Sequence, residues 1–327
     1  MNPGIPVIGY AAMGPKQLLV PYKFSRRTPN PLYVEIKIKY CGICHTDIHQ
    51  VNAEWGPHGL FPMVPGHEIV GVVKNVGSKV SRFKPGDHAG IGCMIDSCGE
   101  CEFCNQSLEQ YCLVGANMTY NSKEKDNKTI TQGGYSNCIV VTEAFVLRIL
   151  LNLPLDATAP LLCAGITAYS PLVHWKTGPG KKVCVIGLGG LSHMALKFAS
   201  ALGAEVIIVS HSENKKDDAY KFGANYFYSS TNPNTFKILE NYFDLIICTL
   251  SSDIDWNAFL RTLKVNGTMV MLGIPERPVP MAARSLVFGR KALSGSLIGG
   301  IAETQEMLNF CADKTSFAML RWYPSKM

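Results

Sequence analysis

Four cysteines, Cys98, Cys101, Cys104 and Cys112, stand in the spacing C-x2-C-x2-C-x7-C. Two-residue gaps let a backbone turn aim successive thiolates at one point, and the longer gap brings back the fourth. Four thiolates around one centre describe a tetrahedral zinc site with no open coordination position, which ties down a loop and does no chemistry. A redox dithiol would need a single C-x-x-C pair. An iron–sulfur cluster also takes four thiolates, but the common ferredoxin runs are spaced differently. Catalysis must therefore be sought elsewhere in the chain.

Further candidate ligands are scattered. Cys44 lies in Cys41-Gly42-Ile43-Cys44-His45-Thr46-Asp47, His67 in Pro65-Gly66-His67-Glu68, and Cys163 in Pro160-Leu161-Leu162-Cys163-Ala164-Gly165. Two thiolates and an imidazole would give a zinc with an open fourth position. Spacing alone does not select these three from 12 cysteines and 8 histidines. Cys41, Cys93, Cys138, Cys184, Cys248 and Cys311 sit in apolar, strand-like surroundings and read as small core residues. His45, His58, His88, His174 and His193 read as solvated or packed. Trp55 and Met118 read equally as pocket lining or plain packing.

A glycine-rich loop, Gly187-Leu188-Gly189-Gly190-Leu191-Ser192, separates an apolar strand from a helix. The first glycine allows a tight turn, the second lets the backbone approach a pyrophosphate, and the helix N-terminus supplies N–H donors. Ser192 replaces the usual third glycine. Its hydroxymethyl is expected to crowd the helix–strand contact and weaken cofactor binding. Further on, where an acidic residue would meet the ribose 2′-hydroxyl of NAD, the chain has Ser210-His211-Ser212, with Glu213 close by and Lys215 and Lys216 beyond. Hydroxyls and lysines suit a 2′-phosphate, so NADP is expected. The plainer alternative makes these helix-capping and solvated residues.

The elements that must position these residues fall into two kinds. Up to about residue 155, short strands at 33–40, 69–77, 88–92 and 135–141 alternate with turns such as Lys84-Pro85-Gly86-Asp87 and Gln132-Gly133-Gly134, the pattern of a β-rich barrel-like domain. The polar tract Asn121–Lys128 reads as a mobile surface loop. Beyond 155, strands at 181–186, 204–210 and later alternate with helices, starting near Leu191–Leu202, which predicts a doubly wound parallel sheet. A length of 327 residues with 47% hydrophobic and 17% charged residues suits two well-buried domains. The net charge of +6 comes with no block of like charge, so neither nucleic acid nor membrane is expected as a partner. The N-terminal stretch lacks signal-peptide character, and the cysteines point to a reducing, cytoplasmic setting.

The segments GICHTDIH, PGHEIVG, the four-cysteine run, APLLCAGITAYSPL, GLGGL and GSLIGGIAETQEMLNF together closely resemble the cinnamyl alcohol dehydrogenase family, within the zinc-dependent medium-chain dehydrogenases, over about residues 1–312. The resemblance implies an α/β protein with a GroES-like zinc-binding catalytic domain (1–155), an NADP-binding Rossmann domain (156–295) and a C-terminal segment (296–327). It implies a catalytic zinc on Cys44, His67 and Cys163, with Glu68 as alternate ligand, besides the structural zinc on Cys98, Cys101, Cys104 and Cys112. It implies NADP(H) contacts at Thr167, Gly187, Leu188, Gly189, Gly190, Leu191, Ser192, Ser210, His211, Ser212, Lys215, Thr249, Gly273, Ser296, Leu297 and Ile298. Thr46 resembles the family's relay hydroxyl. His49 is placed to pass the proton towards solvent, and Asp47 to orient a histidine.

The implied reaction is hydride transfer between NADP(H) and a small-molecule aldehyde or alcohol. The alternatives are an NAD-linked polyol dehydrogenase and a catalytically silent zinc and dinucleotide binder. GSLIGG resembles a strand the family uses in dimers, so a homodimer is expected. The ending, TSFAMLRWYPSKM, departs from the family, whose members return to the first domain. The return segment reads as truncated, with an unpaired sheet edge and lowered stability expected from it.

Overall fold

The computed structural model describes residues 4–27, 30–55 and 59–314. His58 and the atypical tail 315–327 lie outside the described residues. The chain forms two compact units, one of Met1–Ile166 with Gly299–Met327, the other of Thr167–Ile298.

The first unit opens with a hairpin of β1 (Ile5–Ala11) and β2 (Val20–Arg26), then β3 (Tyr33–Cys41), helix α1 (His45–Val51), β4 (Ile69–Val76) and β5 (His88–Ile91). There follow β6 (Met94–Asp96), the one-turn helix α2 (Glu102–Asn105), β7 (Asn117–Met118), β8 (Cys138–Thr142), β9 (Leu147–Arg148) and α3 (Leu155–Thr158). Its main sheet is antiparallel, in the order β8-β3-β4-β5-β9. Val34 and Ile36 of β3, Ile69 and Val70 of β4 and Ile139 of β8 are buried. Each such side chain contributes about 1.5–3 kcal/mol relative to an exposed one. Glu35 of β3 is buried as well, and takes hydrogen bonds from Lys74 Nζ (2.8 Å) and Asn75 Nδ2 (2.5 Å).

The register of this sheet matters for the chemistry. Cys41, the last residue of β3, pairs with Ile69, the first of β4, and Ile69 pairs with Ile91, the last of β5. Three strand ends thus meet at one edge, and the segments carrying Cys44, His67–Glu68 and Cys93 leave from it.

The second unit begins within helix α4 (Ala164–His174). It continues as β10 (Lys182–Ile186), α5 (Gly190–Ala201), β11 (Glu205–Ser210), α6 (Lys216–Lys221), β12 (Tyr226–Ser229), α7 (Thr235–Ile238), β13 (Phe243–Cys248), α8 (Trp256–Thr262), β14 (Leu263–Met271), α9 (Arg284–Val287) and β15 (Ala292–Gly295). All six strands are parallel, in the order β12-β11-β10-β13-β14-β15. Val183, Cys184 and Val185 of β10 are all fully buried, as a central strand covered on both faces requires. The order reverses between β10 and β13, the switch point where such sheets bind ligands. The chain then returns to the first unit as α10 (Ile301–Lys314).

Several expectations are corrected. The division falls after Ile166 instead of about residue 155, because α3 and the turn Ala159–Leu162 pack on β3, β4 and β5. The segment from Gly299 belongs to the first unit. The strand expected over 135–141 starts at Cys138. Its first residues leave the ladder because Tyr135 bonds Pro65 and Tyr10 instead. The 121–128 tract lies at the surface outside the main strands, as expected, and is tied by hydrogen bonds. Asp126 accepts from the backbone of Lys128 and Thr129 (2.8 Å each), and Lys123 bridges to Ile130. At the edge strand β9, the peptide groups of Arg148 are answered by Gln305 of α10 (2.8 and 3.0 Å). No helix among the described residues is long and apolar enough to cross a membrane.

Candidate metal centres and dinucleotide loop

Cys44 is the N-cap of α1, in an extended conformation. Its sulfur accepts from Thr46 N (3.4 Å), while the Asp47 carboxylate reaches back to Cys44 N (3.0 Å). His67 and Glu68 stand just before β4, and Cys163 in the turn before α4. The four ligand atoms lie within 4.8 Å of one another. Cys44 Sγ is 4.0 Å from Cys163 Sγ, and His67 Nε2 is 3.1 Å from Cys163 Sγ. Tetrahedral zinc bonds of about 2.0–2.3 Å place sulfur and nitrogen ligands roughly 3.5–3.8 Å apart, so this donor set fits a zinc ion.

The electrostatics point the same way. Contact with Cys163 and then burial push the Cys44 thiol up to about 12. Burial pushes Glu68 up to about 8. Burial pulls His67 down, but the charges of Cys163 and Cys93 and the hydrogen bond to Asp47 outweigh it and leave the imidazole raised. Such crowded groups keep their protons until a cation takes their place, and metal binding releases those protons.

Asp47 is 3% exposed, and its Oδ1 accepts from Gly66 N (3.0 Å) and His67 Nδ1 (3.1 Å). That bond fixes the imidazole tautomer and leaves Nε2 for the centre. Thr46 is half-buried on α1. His49 is paired with Glu54 and lies between the rings of His45 (5.0 Å) and Trp55 (4.9 Å). Trp55 and Met118 are both exposed.

Three neighbours of the set were not singled out by sequence reasoning. Cys93, read above as core packing, is buried with its thiol against that of Cys163. The Tyr120 ring stacks on His67 at 5.8 Å. Tyr135 donates to Asp47 Oδ2 (3.1 Å). Only the apolar strand run leading to Cys93 hinted that it would end beside the others.

The sulfurs of Cys98, Cys101, Cys104 and Cys112 also lie within 4.8 Å of one another. Cys98 and Cys104 are 3.8 Å apart, and Cys104 is 3.3 Å from Ser97 Oγ. Backbone amides of Cys104 and Leu113 pull the Cys101 thiol down to about 6. The lobe reaches α10, where Glu109 Oε2 accepts from Ile301 N (3.0 Å).

In the second unit, Gly187 turns the chain at φ +80°, and its N–H bonds Val209 O at 2.8 Å. A side chain at Gly189 or Gly190 would meet nothing within 4 Å, so the loop floor is open where α5 begins. An anionic group fits there. Ser192 does not crowd the contact as expected. It is 1% exposed, accepts from Gly189 N (3.3 Å) and bonds Thr249 Oγ1 (2.6 Å), so its hydroxyl ties the loop to the end of β13. Lys215 Nζ donates to Leu188 O (3.0 Å). Ser210 is buried and accepts from Ser212 N (3.3 Å), whereas His211 and Glu213 are exposed. Gly273 follows β14 with its N–H on Cys248 O (3.3 Å). Ser296, Leu297 and Ile298 follow β15, and Thr167 stands in α4. Apart from Thr167, the expected cofactor residues therefore lie at or just beyond the C-terminal ends of β10, β11, β13, β14 and β15.

Comparison with known proteins agrees with this architecture. Residues 30–150 match the alcohol dehydrogenase GroES-like domain, and residues 190–313 the zinc-binding dehydrogenase family. The chain is 53% identical over 307 residues to NADP-dependent alcohol dehydrogenase C of Mycobacterium bovis, covering 94% of this chain and 88% of that one. A cinnamyl alcohol dehydrogenase from Sorghum bicolor superposes with a TM-score of 0.92 at 41% identity, over 96% of this chain and 89% of the other. The Helicobacter pylori enzyme solved with NADP(H) gives 0.89 at 40%, over 97% and 90%. With its two metal-ligand sets and parallel dinucleotide sheet, the chain belongs to the zinc-dependent alcohol dehydrogenases, on the cinnamyl alcohol dehydrogenase branch of the medium-chain superfamily.

Proposed function

We infer that this protein is an NADP(H)-dependent zinc alcohol dehydrogenase that reduces aldehydes to primary alcohols and catalyses the reverse reaction. The observation that carries the reading is the convergence of Cys44, His67, Glu68 and Cys163 beside a buried Asp47. Cys44, His67 and Cys163 would hold the catalytic ion and Glu68 serve as alternate ligand. The four-cysteine lobe would hold the structural ion. Bound zinc supplies Lewis acidity towards the substrate oxygen, and NADP(H) supplies the hydride.

The chain's own residues do the rest. Asp47 holds the His67 tautomer. Thr46 is the hydroxyl that hands a proton to the product oxygen, and His49 resupplies it from solvent; in alcohol oxidation the same relay runs outward. Gly187–Ser192 receives the pyrophosphate at the start of α5. Ser210, Ser212 and Lys215 receive the 2′-phosphate. The GSLIGG segment (295–300), which begins at the end of edge strand β15, is the element we assign to a homodimer. Free thiols throughout the described chain suit the cytoplasm.

An aldehyde panel run with NADPH and NADH, beside Cys44→Ser, tests the reading. Wild type should carry two zinc ions per chain and prefer NADPH. Cys44→Ser should lose turnover and one ion while the four-cysteine lobe stays filled. Undiminished turnover and zinc in Cys44→Ser would overturn the assignment, as would two ions with no turnover on any aldehyde.

A further inference from the structure

The turn Gln132-Gly133-Gly134-Tyr135 takes no part in the assignment above, yet it is built against the metal-ligand segment with unusual closeness. Gly133 N donates to Val64 O (2.7 Å), Gly134 N to Gly66 O (2.8 Å) and Tyr135 N to Pro65 O (2.9 Å). Residues 133–135 therefore run alongside the three residues that lead into His67. A Cβ on Gly133 would collide with Pro65 O and Gly66 O, and one on Gly134 with Cys41 Sγ and Ile69, so only glycine permits the approach. Tyr135 is anchored from the other side too, because its carbonyl accepts from Tyr10 N (2.8 Å).

The approach delivers one polar group. Tyr135 Oη donates to Asp47 Oδ2 at 3.1 Å, and the same oxygen accepts from Cys44 N at 3.0 Å. The other oxygen, Oδ1, is held by Gly66 N and His67 Nδ1. The buried carboxylate thus has four donors, two on each oxygen. Three of them come from residues within or next to the ligand set, and Tyr135 alone of the four comes from a different segment. A carboxylate held at both oxygens cannot swing about its Cβ–Cγ bond. Without the Tyr135 hydroxyl Oδ2 keeps Cys44 N alone, so the carboxylate is held less tightly and the Oδ1–His67 bond that aims the imidazole loosens with it.

We propose that Tyr135 is a positioning residue for the catalytic zinc, acting through Asp47 on the His67 imidazole. The proposal rests on the zinc reading of that site. Tyr135→Phe keeps the ring against Gly66 and removes only the hydroxyl. Partners of metal-bound histidines typically tune affinity about 10–100-fold. One bond further out, the expected effect is the low end of that range, about tenfold weaker binding of the catalytic ion in a chelator competition, with the four-cysteine ion unchanged.

Cobalt(II) exchanged into the three-ligand site reports the geometry directly. Its visible bands should shift in Tyr135→Phe while the melting temperature stays close to wild type. In an Asp47→Asn background, adding Tyr135→Phe should change affinity by less than about twofold, since the two act as one unit. Unchanged affinity and bands in Tyr135→Phe would overturn the proposal. So would an effect of the same size in the Asp47→Asn background. Cobalt bands that survive Cys44→Ser would remove the zinc reading itself, a different failure from either of these.

Discussion

Lys215 shows what a single side chain can decide in this protein. Its ammonium is held by the Leu188 carbonyl at 3.0 Å, which ties the residues after β11 to the glycine loop. On the proposed reading a lysine held there would meet the 2′-phosphate with a charge-assisted bond, and such a bond contributes about 1.5–3 kcal/mol. Lys215→Ala should therefore raise KM for NADPH by about tenfold or more and leave KM for NADH nearly unchanged, as steady-state kinetics with both cofactors would show. Ser192 teaches the opposite lesson about reading a residue by type. Its replacement of a glycine suggested a steric fault, but the hydroxyl found Gly189 N and Thr249 Oγ1. The partners come from a loop and a strand end that the local sequence does not reveal. Cys44, His67 and Cys163 were legible only as a combination of motifs. The link from Tyr135 to Asp47, 88 residues apart, left no mark in the spacing of either.

Elements were more legible than contacts. The alternation over 33–40 predicted a strand of a β-rich domain and the apolar run at 181–186 a buried strand of a parallel sheet, and both strands formed. What alternation cannot give is register, and register brings the end of β3, the start of β4 and the end of β5 together. The place where one unit ends was likewise hidden, because α3 and the following turn carry no composition change to mark their loyalty to the first sheet. The four-cysteine lobe was plain from spacing, but its reach to α10 was not. Glu109 caps that helix at Ile301 N (3.0 Å). Removing a side-chain cap costs about 1 kcal/mol. Glu109→Ala should lower the melting temperature by a few degrees and speed amide exchange in the first turn of α10, as mass-spectrometric hydrogen exchange would show. Thiol content and zinc at the catalytic set should not change.

At the scale of the whole molecule, each unit has a core of its own, and both metal-ligand sets belong to the first. The second unit is built around Phe243, Ile246, Phe259 and Leu260, all buried, with no metal-ligand set among its described residues. Metal bound to folded ligands adds its binding free energy to folding. Stripping both ions with a chelator should therefore lower one calorimetric transition markedly and leave the other within a degree or two. A single transition that moves as a whole would show that the two cores melt as one cooperative block. The order of the chain has a further effect during synthesis. Every residue of the two candidate ligand sets emerges by Cys163, but the helix that leans on the lobe and seals strand β9 is translated only after the whole parallel sheet. On the ribosome the first unit must wait, its two ligand sets complete and one flank open, while the second is completed.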